Sequence, residues 1–192
     1  MPRLFSAIDV GPAARERITA EQHRLTTALD AASLRWVKPE HLHLTLVFIG
    51  EVADDHAARI VVAMQSAIPQ QPFRFELGGF GVFPSHGAPR ALWLGVRTGA
   101  EAIVGLQQTI AARCQALDVP REARPYSPHL TLARWRNGRR SDRPRDLGGN
   151  SDVVAVVDVH AVTLFQSRLS SQGPTYTVLA HSPLSAPPSS LH

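Results

Sequence analysis

The chain of 192 residues is long enough for one globular domain, or for two small lobes that share a core. Its hydrophobic fraction of 44% is ordinary for a folded protein, and no apolar run approaches the roughly 18 residues that a transmembrane helix needs. The net charge of +4 favours an anionic partner such as nucleic acid. That argument is weakened because Lys38 is the only lysine, and a biased coding composition could supply the arginines.

The cysteine content and the N-terminal segment narrow the cellular setting. Cys114 is the only cysteine, which excludes an internal disulfide and any cysteine-based zinc cluster. Its helical spacing from Ile103, Leu106 and Ile110 predicts that it is buried in a helix core. Residues 1–5 lack the charged and then apolar build of a secretory signal, so we expect a cytoplasmic protein that does not bind membranes.

Apolar periodicity, with glycine and proline at the turns, divides the chain into strands and helices. In chain order the pattern predicts a strand at 3–9, a helix at about 12–31, strands at 34–37 and 43–48, a helix at about 54–68, strands at 73–83 and 90–96, a helix at about 99–117, and strands at 129–134, 153–166 and 175–180. The connections differ in length and several strands look hairpin-joined, which favours an α+β fold with antiparallel or mixed sheets.

The C-terminal end has a different composition. From Ser182 onward it contains too few core residues to pack. We therefore predict one bilobal domain over residues 1–184 and a disordered tail over 185–192.

The most informative feature is a repeated tetrapeptide. His-Leu-Thr-Leu occurs at residues 43–46 and again at 129–132, each time in a segment with strand character. On a strand with a period of two, His43 and Thr45 share one face and the two leucines share the other. In the second copy, His129 and Thr131 share one face in the same way. Packing alone gives no reason to repeat the polar pair. If the two halves pack around a pseudo-two-fold axis, both His/Thr pairs can line one cleft.

Two imidazoles in one cleft suit the hydrolysis of a phosphodiester. In-line displacement needs a base that activates water and an acid that protonates the leaving oxygen, on opposite sides of phosphorus. Imidazole, with a pKa of about 6.5, can do either at neutral pH. Threonine hydroxyls can donate hydrogen bonds to the non-bridging oxygens and stabilise charge in the transition state. This scheme requires no metal.

At these motifs the chain resembles the two-histidine phosphoesterase superfamily, which is defined by two His-x-Thr/Ser-x motifs. Within it, the chain is most similar to the bacterial and archaeal RNA 2′,3′-cyclic phosphodiesterases, historically called 2′-5′ RNA ligases. The similarity extends beyond the motifs and covers nearly the whole chain to about residue 184. It rests on residues 3–9, 35–37, 40–50, 80–84, 90–94, 126–134 and 164–176.

The resemblance implies a bilobal α+β fold of two pseudo-symmetric lobes, with sheets flanked by helices and a site in the central cleft. It also implies hydrolysis of a terminal 2′,3′-cyclic phosphate on RNA to a 2′-phosphate, without a metal or other cofactor. By position, His43 and His129 are the catalytic pair, and Thr45 and Thr131 bind phosphate. We assign His43 as the general acid for the departing 3′ oxygen and His129 as the general base. We further expect a monomer.

Three other residues are candidate substrate contacts. Arg134 follows the second motif as arginine does in relatives, but on an ideal strand it shares a face with Leu132, so its reach to phosphate needs a bend or bulge. Tyr126, directly before the second motif, and Phe5 are candidate cleft walls for stacking a base. Trp93 lies in an apolar strand and is predicted to be core. Other aromatic side chains able in principle to stack a base are Trp36, Phe48 and Trp135.

A histidine and an arginine-rich segment remain outside this scheme. His41 shares a strand face with His43 if the strand extends that far, which allows a three-histidine metal site with His129. That site would leave the threonines without a role, so we expect His41 to be exposed near the start of the strand. The segment 136–145 either contacts the RNA backbone or is a solvated loop.

Other functions stay open. The same site could act on a small nucleotide cyclic phosphate or on a 2′-5′-linked oligonucleotide. A non-catalytic module that binds RNA ends has little use for two titratable groups. Nucleotide-dependent ligation is disfavoured, because the chain has no Gly-x-x-x-x-Gly-Lys loop and Lys38 is its only lysine.

Overall fold

Ten strands and three helices occur in the part of the chain that the computed structural model describes, which is residues 1–29, 34–145, 147, 152–170 and 173–186. The strands are β1 Arg3–Asp9, β2 Leu34–Trp36, β3 His43–Glu51, β4 Ile68–Pro69, β5 Phe73–Phe83, β6 Ala91–Thr98, β7 His129–Trp135, β8 Val153–Val159, β9 Ala161–Ser170 and β10 Gly173–Ser185. The helices are α1 Gly11–Ala28, α2 Asp54–Ala63 and α3 Ala100–Gln115.

The strands form one mixed sheet in the order β4-β10-β9-β1-β3-β7-β6-β5-β8, with β2 paired to β7 beside this path. Neighbouring strands are antiparallel except β4 and β10, which run parallel. The central strands β3 and β7 meet at the pair Leu44 and Leu130. This narrow seam divides the sheet into a first lobe, from β4 to β3, and a second lobe, from β7 to β8 with β2. The predicted α+β fold with two lobes is confirmed.

The chain exchanges elements between the two lobes. Helix α1 follows β1 of the first lobe but packs against β8 of the second, while α3 follows β6 of the second lobe and packs against β3 of the first. The predicted strand 153–166 is in fact two strands, because the chain crosses at His160 from β8 in the second lobe to β9 in the first. The buried residues of both lobes consequently form one hydrophobic cluster.

Apolar alternation decides which face of the sheet the helices cover. Among the motif leucines, Leu44 and Leu130 are 0% exposed and belong to the same cluster as the inner faces of α1 and α3. Burying a leucine side chain contributes about 1.5–3 kcal/mol. The helices therefore lie on the leucine face, and the opposite face of the sheet is left for the polar residues of the motifs.

Helix α2 is shorter than predicted. It ends at Ala63 rather than Ile68. Ile68 itself precedes a proline, which disfavours helical backbone at that residue, and it lies in β4, where it pairs with Leu184. Helix α1 ends at Ala28, and its predicted end at residue 31 lies outside the described residues.

The C-terminal segment packs further than predicted. Strand β10 continues to Ser185, with Ser182 and Leu184 only 0% and 7% exposed. The Ser182 hydroxyl donates to the carbonyl oxygen of Met64 at 2.6 Å. The prediction that packing stops at Ser182 was therefore wrong, since β10 pairs with β9 and with β4 over this stretch. Residues 187–192 of the predicted tail lie outside the described residues.

The burial of Cys114 and the character of the three helices bear on two predictions made from the sequence. Cys114 is 2% exposed on α3, as its spacing predicted, and burial raises the pKa of its thiol to about 11. Within the described ranges, the three helices are all too short or too polar to cross a membrane.

Candidate active site

The two His-Leu-Thr-Leu copies meet at the seam between the lobes. Leu44 lies opposite Leu130 in antiparallel pairing, so both side chains point to the helix-covered face. The alternation of each strand then puts both His/Thr pairs on the opposite face, where all four side chains are partly buried. We call this surface the site face, and it is defined by His43, Thr45, His129 and Thr131. The predicted catalytic pair and the predicted phosphate ligands thus share one surface.

Hydrogen bonds fix the tautomer of both histidines. His43 Nδ1 lies 2.7 Å from the carbonyl oxygen of His41, and His129 Nδ1 lies 2.8 Å from the carbonyl oxygen of Ser127. Because a carbonyl oxygen can only accept, each Nδ1 carries a hydrogen and donates it. This leaves Nε2 as the atom of each ring that can exchange a proton with a substrate. The two lobes repeat the same arrangement.

Aromatic rings surround His43. The centroid distances from its imidazole are 4.9 Å to Phe5, 5.4 Å to Tyr176 and 6.2 Å to Phe165. Burial among these rings lowers the pKa of His43 below its ordinary value, although the hydrogen bond to the His41 carbonyl opposes this shift. The neutral imidazole is therefore favoured in the protein without a ligand.

A second aromatic pair supports His129. Phe83 meets its imidazole edge-on at 4.9 Å, and Trp93 lies 6.1 Å away. The Trp93 ring covers Gly81, where a Cβ would lie 2.0 Å from the indole. The prediction that Trp93 belongs to the core was wrong: it lies opposite Thr131 and shares the site face. The alternation Leu92-Trp93-Leu94 was the sequence signal that could have placed Trp93 on the face opposite the two leucines. Both leucines are 0% exposed in the structure.

Arg134 reaches the site face through a β-bulge. Consecutive β6 residues pair with Ala133 and Thr131, so Leu132 is the extra residue in β7. Both Leu132 and Ala133 are 0% exposed, and Arg134 returns to the face of Thr131. Its positive charge is close enough to His43 to add to the lowering of the His43 pKa that burial causes. The bulge that this assignment required is present.

A buried glutamine holds the bulge in place. Gln22 of α1 is 6% exposed, and its side-chain amide donates to the carbonyl oxygens of Val37 at 2.9 Å and Leu132 at 3.0 Å. The Val37 N–H also donates to the Leu132 carbonyl oxygen. Sequence reasoning missed Gln22, whose signal was a polar residue on the apolar stripe of α1 between Ile18 and Leu25.

The two proposed cleft-wall residues lie at the site but are largely enclosed. The Tyr126 hydroxyl donates to the carbonyl oxygen of Thr45 at 2.9 Å, and burial raises the pKa of this phenol. Tyr126 thereby ties the segment before β7 to β3. Phe5 is 4% exposed and packs against His43. Direct contact of either ring with a base remains a prediction.

His41 is partly buried rather than exposed, so that prediction was wrong. It ends the short 3-10 turn Pro39–His41, and its ring packs 4.6 Å from Tyr176. Within the described ranges, histidine, cysteine and carboxylate side chains nowhere gather in threes as a metal site requires. The geometry therefore gives no support to the three-histidine metal alternative.

The arginine-rich segment 136–145 is anchored at one point. The Arg143 guanidinium donates to the carbonyl oxygens of Pro84 at 2.6 Å and Gly87 at 3.1 Å. Asp142 accepts from the Arg139 N–H at 2.7 Å. The segment is thus held beside the loop that follows Phe83, and its contact with RNA remains a prediction. Of the other aromatic candidates, Trp135 is 7% exposed and belongs to the core.

The profile of the LigT-like phosphoesterases matches residues 8–93 and, a second time, residues 94–176. Each match contains one His-x-Thr motif. The chain belongs to the LigT-like phosphoesterase family. The predicted family is thereby confirmed, and each of the two matches contains one of the motifs that meet at the seam of this LigT-like protein.

Curated relatives cover most of the chain. A protein of Aeropyrum pernix is 36% identical over 161 residues, which are 81% of this chain and 89% of the relative. A protein of Archaeoglobus fulgidus is 32% identical over 176 residues, or 91% of this chain and 96% of the relative. Both are named RNA 2′,3′-cyclic phosphodiesterase.

Solved structures show the same fold. A Thermus thermophilus protein superimposes with a TM-score of 0.75 at 30% identity, over 96% of this chain and 98% of that one. Escherichia coli LigT in complex with 3′-AMP gives a TM-score of 0.78 at 26% identity, over 96% and 99% of the two chains.

Proposed function

We propose that this LigT-like protein hydrolyses the terminal 2′,3′-cyclic phosphate of RNA to a 2′-phosphate. The observation that carries the proposal is the Leu44–Leu130 pair, which places both His/Thr pairs on the site face. The names of the curated relatives and the binding of 3′-AMP by Escherichia coli LigT support a nucleotide phosphate as the ligand of this surface.

In the proposed reaction the two histidines exchange protons through their Nε2 atoms. His129 accepts a proton from water as the water oxygen bonds to phosphorus, and the bond from phosphorus to O3′ breaks. His43 donates a proton to the departing O3′, which leaves a 3′-hydroxyl and a 2′-phosphate. The buried site of His43 lowers its pKa, which makes its imidazolium a strong proton donor, and a bound phosphate anion favours that protonated form.

Three further side chains on the site face would stabilise the phosphate. The hydroxyls of Thr45 and Thr131 can donate to the non-bridging oxygens, one from each lobe. The guanidinium of Arg134 supplies the positive charge that a metal supplies in other phosphodiesterases. The chemistry is therefore complete without a metal.

The first lobe offers an aromatic surface for a nucleobase. Phe48 lies opposite Phe5 in the ladder between β1 and β3, which puts it on the site face with Thr45. Its side chain is 64% exposed, and its ring lies 6.2 Å from that of Phe5. A base stacked on Phe48 would extend the ring cluster that supports His43.

The test is to incubate the protein, in the presence of EDTA, with RNA that ends in a 2′,3′-cyclic phosphate and to identify the product. We expect a 2′-phosphate. His43→Ala and His129→Ala should each reduce kcat by about 10²–10⁴-fold, the usual contribution of general acid–base catalysis. His160→Ala is the matched control, because His160 is exposed and lies between β8 and β9.

Two outcomes would contradict the proposal. One is the absence of reaction, and the other is a 3′-phosphate as the only product. Comparing the same RNA with a nucleoside 2′,3′-cyclic phosphate would separate an RNA-end enzyme from one that acts on small nucleotides.

A further inference from the structure

Arg35 lies on the site face beside Arg134. The two residues are directly opposite in the antiparallel pairing of β2 with β7, and the flanking pair Trp36–Ala133 fixes this register. Opposed residues on neighbouring strands point to the same face of a sheet. Because Arg134 shares the face of Thr131, Arg35 does too, and its side chain is exposed.

The two arginines form a cation pair without a protein anion. Like charges directly opposite each other destabilise a sheet. Throughout the residues that the structure describes, neither guanidinium has an ion pair or a hydrogen bond. A bound anion would remove the repulsion, and arginine can donate two parallel hydrogen bonds to a phosphate. The pair therefore offers two adjacent positions for phosphate groups.

The backbone that carries Arg35 is held firmly. The Val37 N–H donates to the Leu132 carbonyl oxygen at 2.8 Å, which joins the end of β2 to the bulge of β7. The buried Gln22 amide bonds both Val37 and Leu132 from the other side of the sheet. Both arginines are thus tied to the same structural element, and their relative placement does not depend on a ligand.

We propose that Arg35 binds the phosphate on the 5′ side of the terminal nucleotide while Arg134 binds the cyclic phosphate. The inference rests on the function proposed above and deepens it. Successive phosphates of a strand are separated by one ribose, and a groove that tracks them with arginines is the usual means of holding a single strand. Arg35 would then make the enzyme prefer the end of an oligonucleotide to a free nucleoside cyclic phosphate.

The experiment uses two substrates that differ by one phosphate group. One is cytidine 2′,3′-cyclic phosphate with a free 5′-hydroxyl, and the other carries a 5′-phosphate. For the unaltered protein we expect kcat/KM to be about tenfold or more higher for the second substrate, as one charge-assisted phosphate contact provides. Arg35→Gln should bring the ratio of the two values close to one. Arg134→Gln should lower both values and keep the ratio.

Controls separate this contact from a general effect of charge. Arg168→Ala is the matched variant, because Arg168 is an exposed strand arginine three residues from Phe165 and hence on the other face of the sheet. It should keep the ratio. Raising the salt concentration should reduce the ratio for the unaltered protein more than for Arg35→Gln. Thermal unfolding should show Arg35→Gln to be no less stable, since it removes a repulsion.

The proposal is overturned if Arg35→Gln lowers kcat/KM equally for both substrates, or leaves their ratio unchanged. If the unaltered protein turns over neither substrate, the proposed function has failed instead. Calorimetric binding of cytidine 5′-phosphate then decides the role of Arg35: weaker binding by Arg35→Gln supports it, and equal binding refutes it.

Discussion

Phe48 of the first lobe and Arg134 of the second occupy equivalent positions. Each lies two residues beyond the last leucine of its motif, and each follows a β-bulge at that leucine, Leu46 or Leu132. The same backbone feature therefore turns an aromatic side chain toward the site in one lobe and a cation in the other. This asymmetry fits a substrate with a flat base on one side and a charged phosphate on the other.

The first prediction concerns Phe48. Phe48→Ala should raise KM for RNA with a cyclic phosphate end by about 5- to 150-fold, since stacking of one base contributes about 1–3 kcal/mol, while kcat changes little. Steady-state kinetics would measure both values. Val62→Ala is the control, because Val62 is also an exposed apolar residue, 67% exposed, and lies on helix α2 rather than on the site face. An equal rise in KM for the two variants would refute a specific stacking role.

The second prediction concerns the polarity of the catalytic pair. The kcat/KM of the unaltered protein should have a bell-shaped dependence on pH, with one limb from the acid and one from the base. Loss of the acid in His43→Gln should remove the alkaline limb, and loss of the base in His129→Gln should remove the acidic limb. If both variants lose the same limb, the assignment of acid and base is wrong.

The third prediction concerns stability at low pH. Because burial lowers the pKa of His43 in the folded protein, the unfolded chain takes up this proton first as pH falls. The stabilisation is thus complete above the ordinary histidine pKa of about 6.5 and is lost as pH falls through the folded value. Urea unfolding on both sides of that range should show His43→Gln to be less sensitive to acid than the unaltered protein. A His160→Gln control should retain the full sensitivity, and parallel curves for His43→Gln and the unaltered protein would contradict the shift.

The fourth prediction concerns Gln22. Gln22→Leu leaves the carbonyl oxygens of Val37 and Leu132 without their amide donor and should cost about 1–3 kcal/mol of unfolding free energy. It should also lower kcat/KM, because the bulge that aims Arg134 loses its support. Thr27→Ala removes an exposed hydroxyl of the same helix that donates to the carbonyl oxygen of His23 at 3.1 Å, and it should have little effect on either measurement. Gln22→Leu with full activity would show that the bulge holds without the amide.

The fifth prediction concerns the support of His129. In Gly81→Ala the new methyl group would lie 2.0 Å from the Trp93 indole, so the ring must move and the variant should lose both stability and kcat. Adding Trp93→Ala should restore part of the stability, because it removes the clash. Gly105→Ala is the control: a Cβ there meets no atom within 4 Å, and alanine should stabilise α3 by about 1 kcal/mol. Unchanged kcat in Gly81→Ala would show that Trp93 does not position His129.

Local pattern predicted the features that depend on strand periodicity. The alternation within His43–Leu46 and within His129–Leu132 was enough to predict buried leucines and to put each histidine on the same face as the threonine of its own motif, because side chains alternate on any strand. The predicted helix α3 and the burial of Cys114 follow from helical spacing in the same way. These features need no knowledge of what lies across the sheet.

The local sequence pattern was a poor predictor of β-bulges and of pairings between distant strands. The alternation around Trp93 was misjudged, and Gln22 gave only the weak signal of a polar residue on an apolar stripe. The pairing of Ile68 with Leu184 joins residues far apart in the chain, so local pattern misplaced the end of α2 and predicted that packing stops at Ser182.

The sequence by itself determined that two identical polar motifs lie on strands and that their chemistry suits an acid and a base. Only the tertiary structure decided how these motifs meet and what surrounds them. The Leu44–Leu130 pair joins the lobes, and the bulge at Leu132 turns Arg134 toward the site. Pairing between strands that are far apart in the chain sets the register of each strand and the face to which its side chains point. The local periodicity of the sequence does not reveal which distant segments pair.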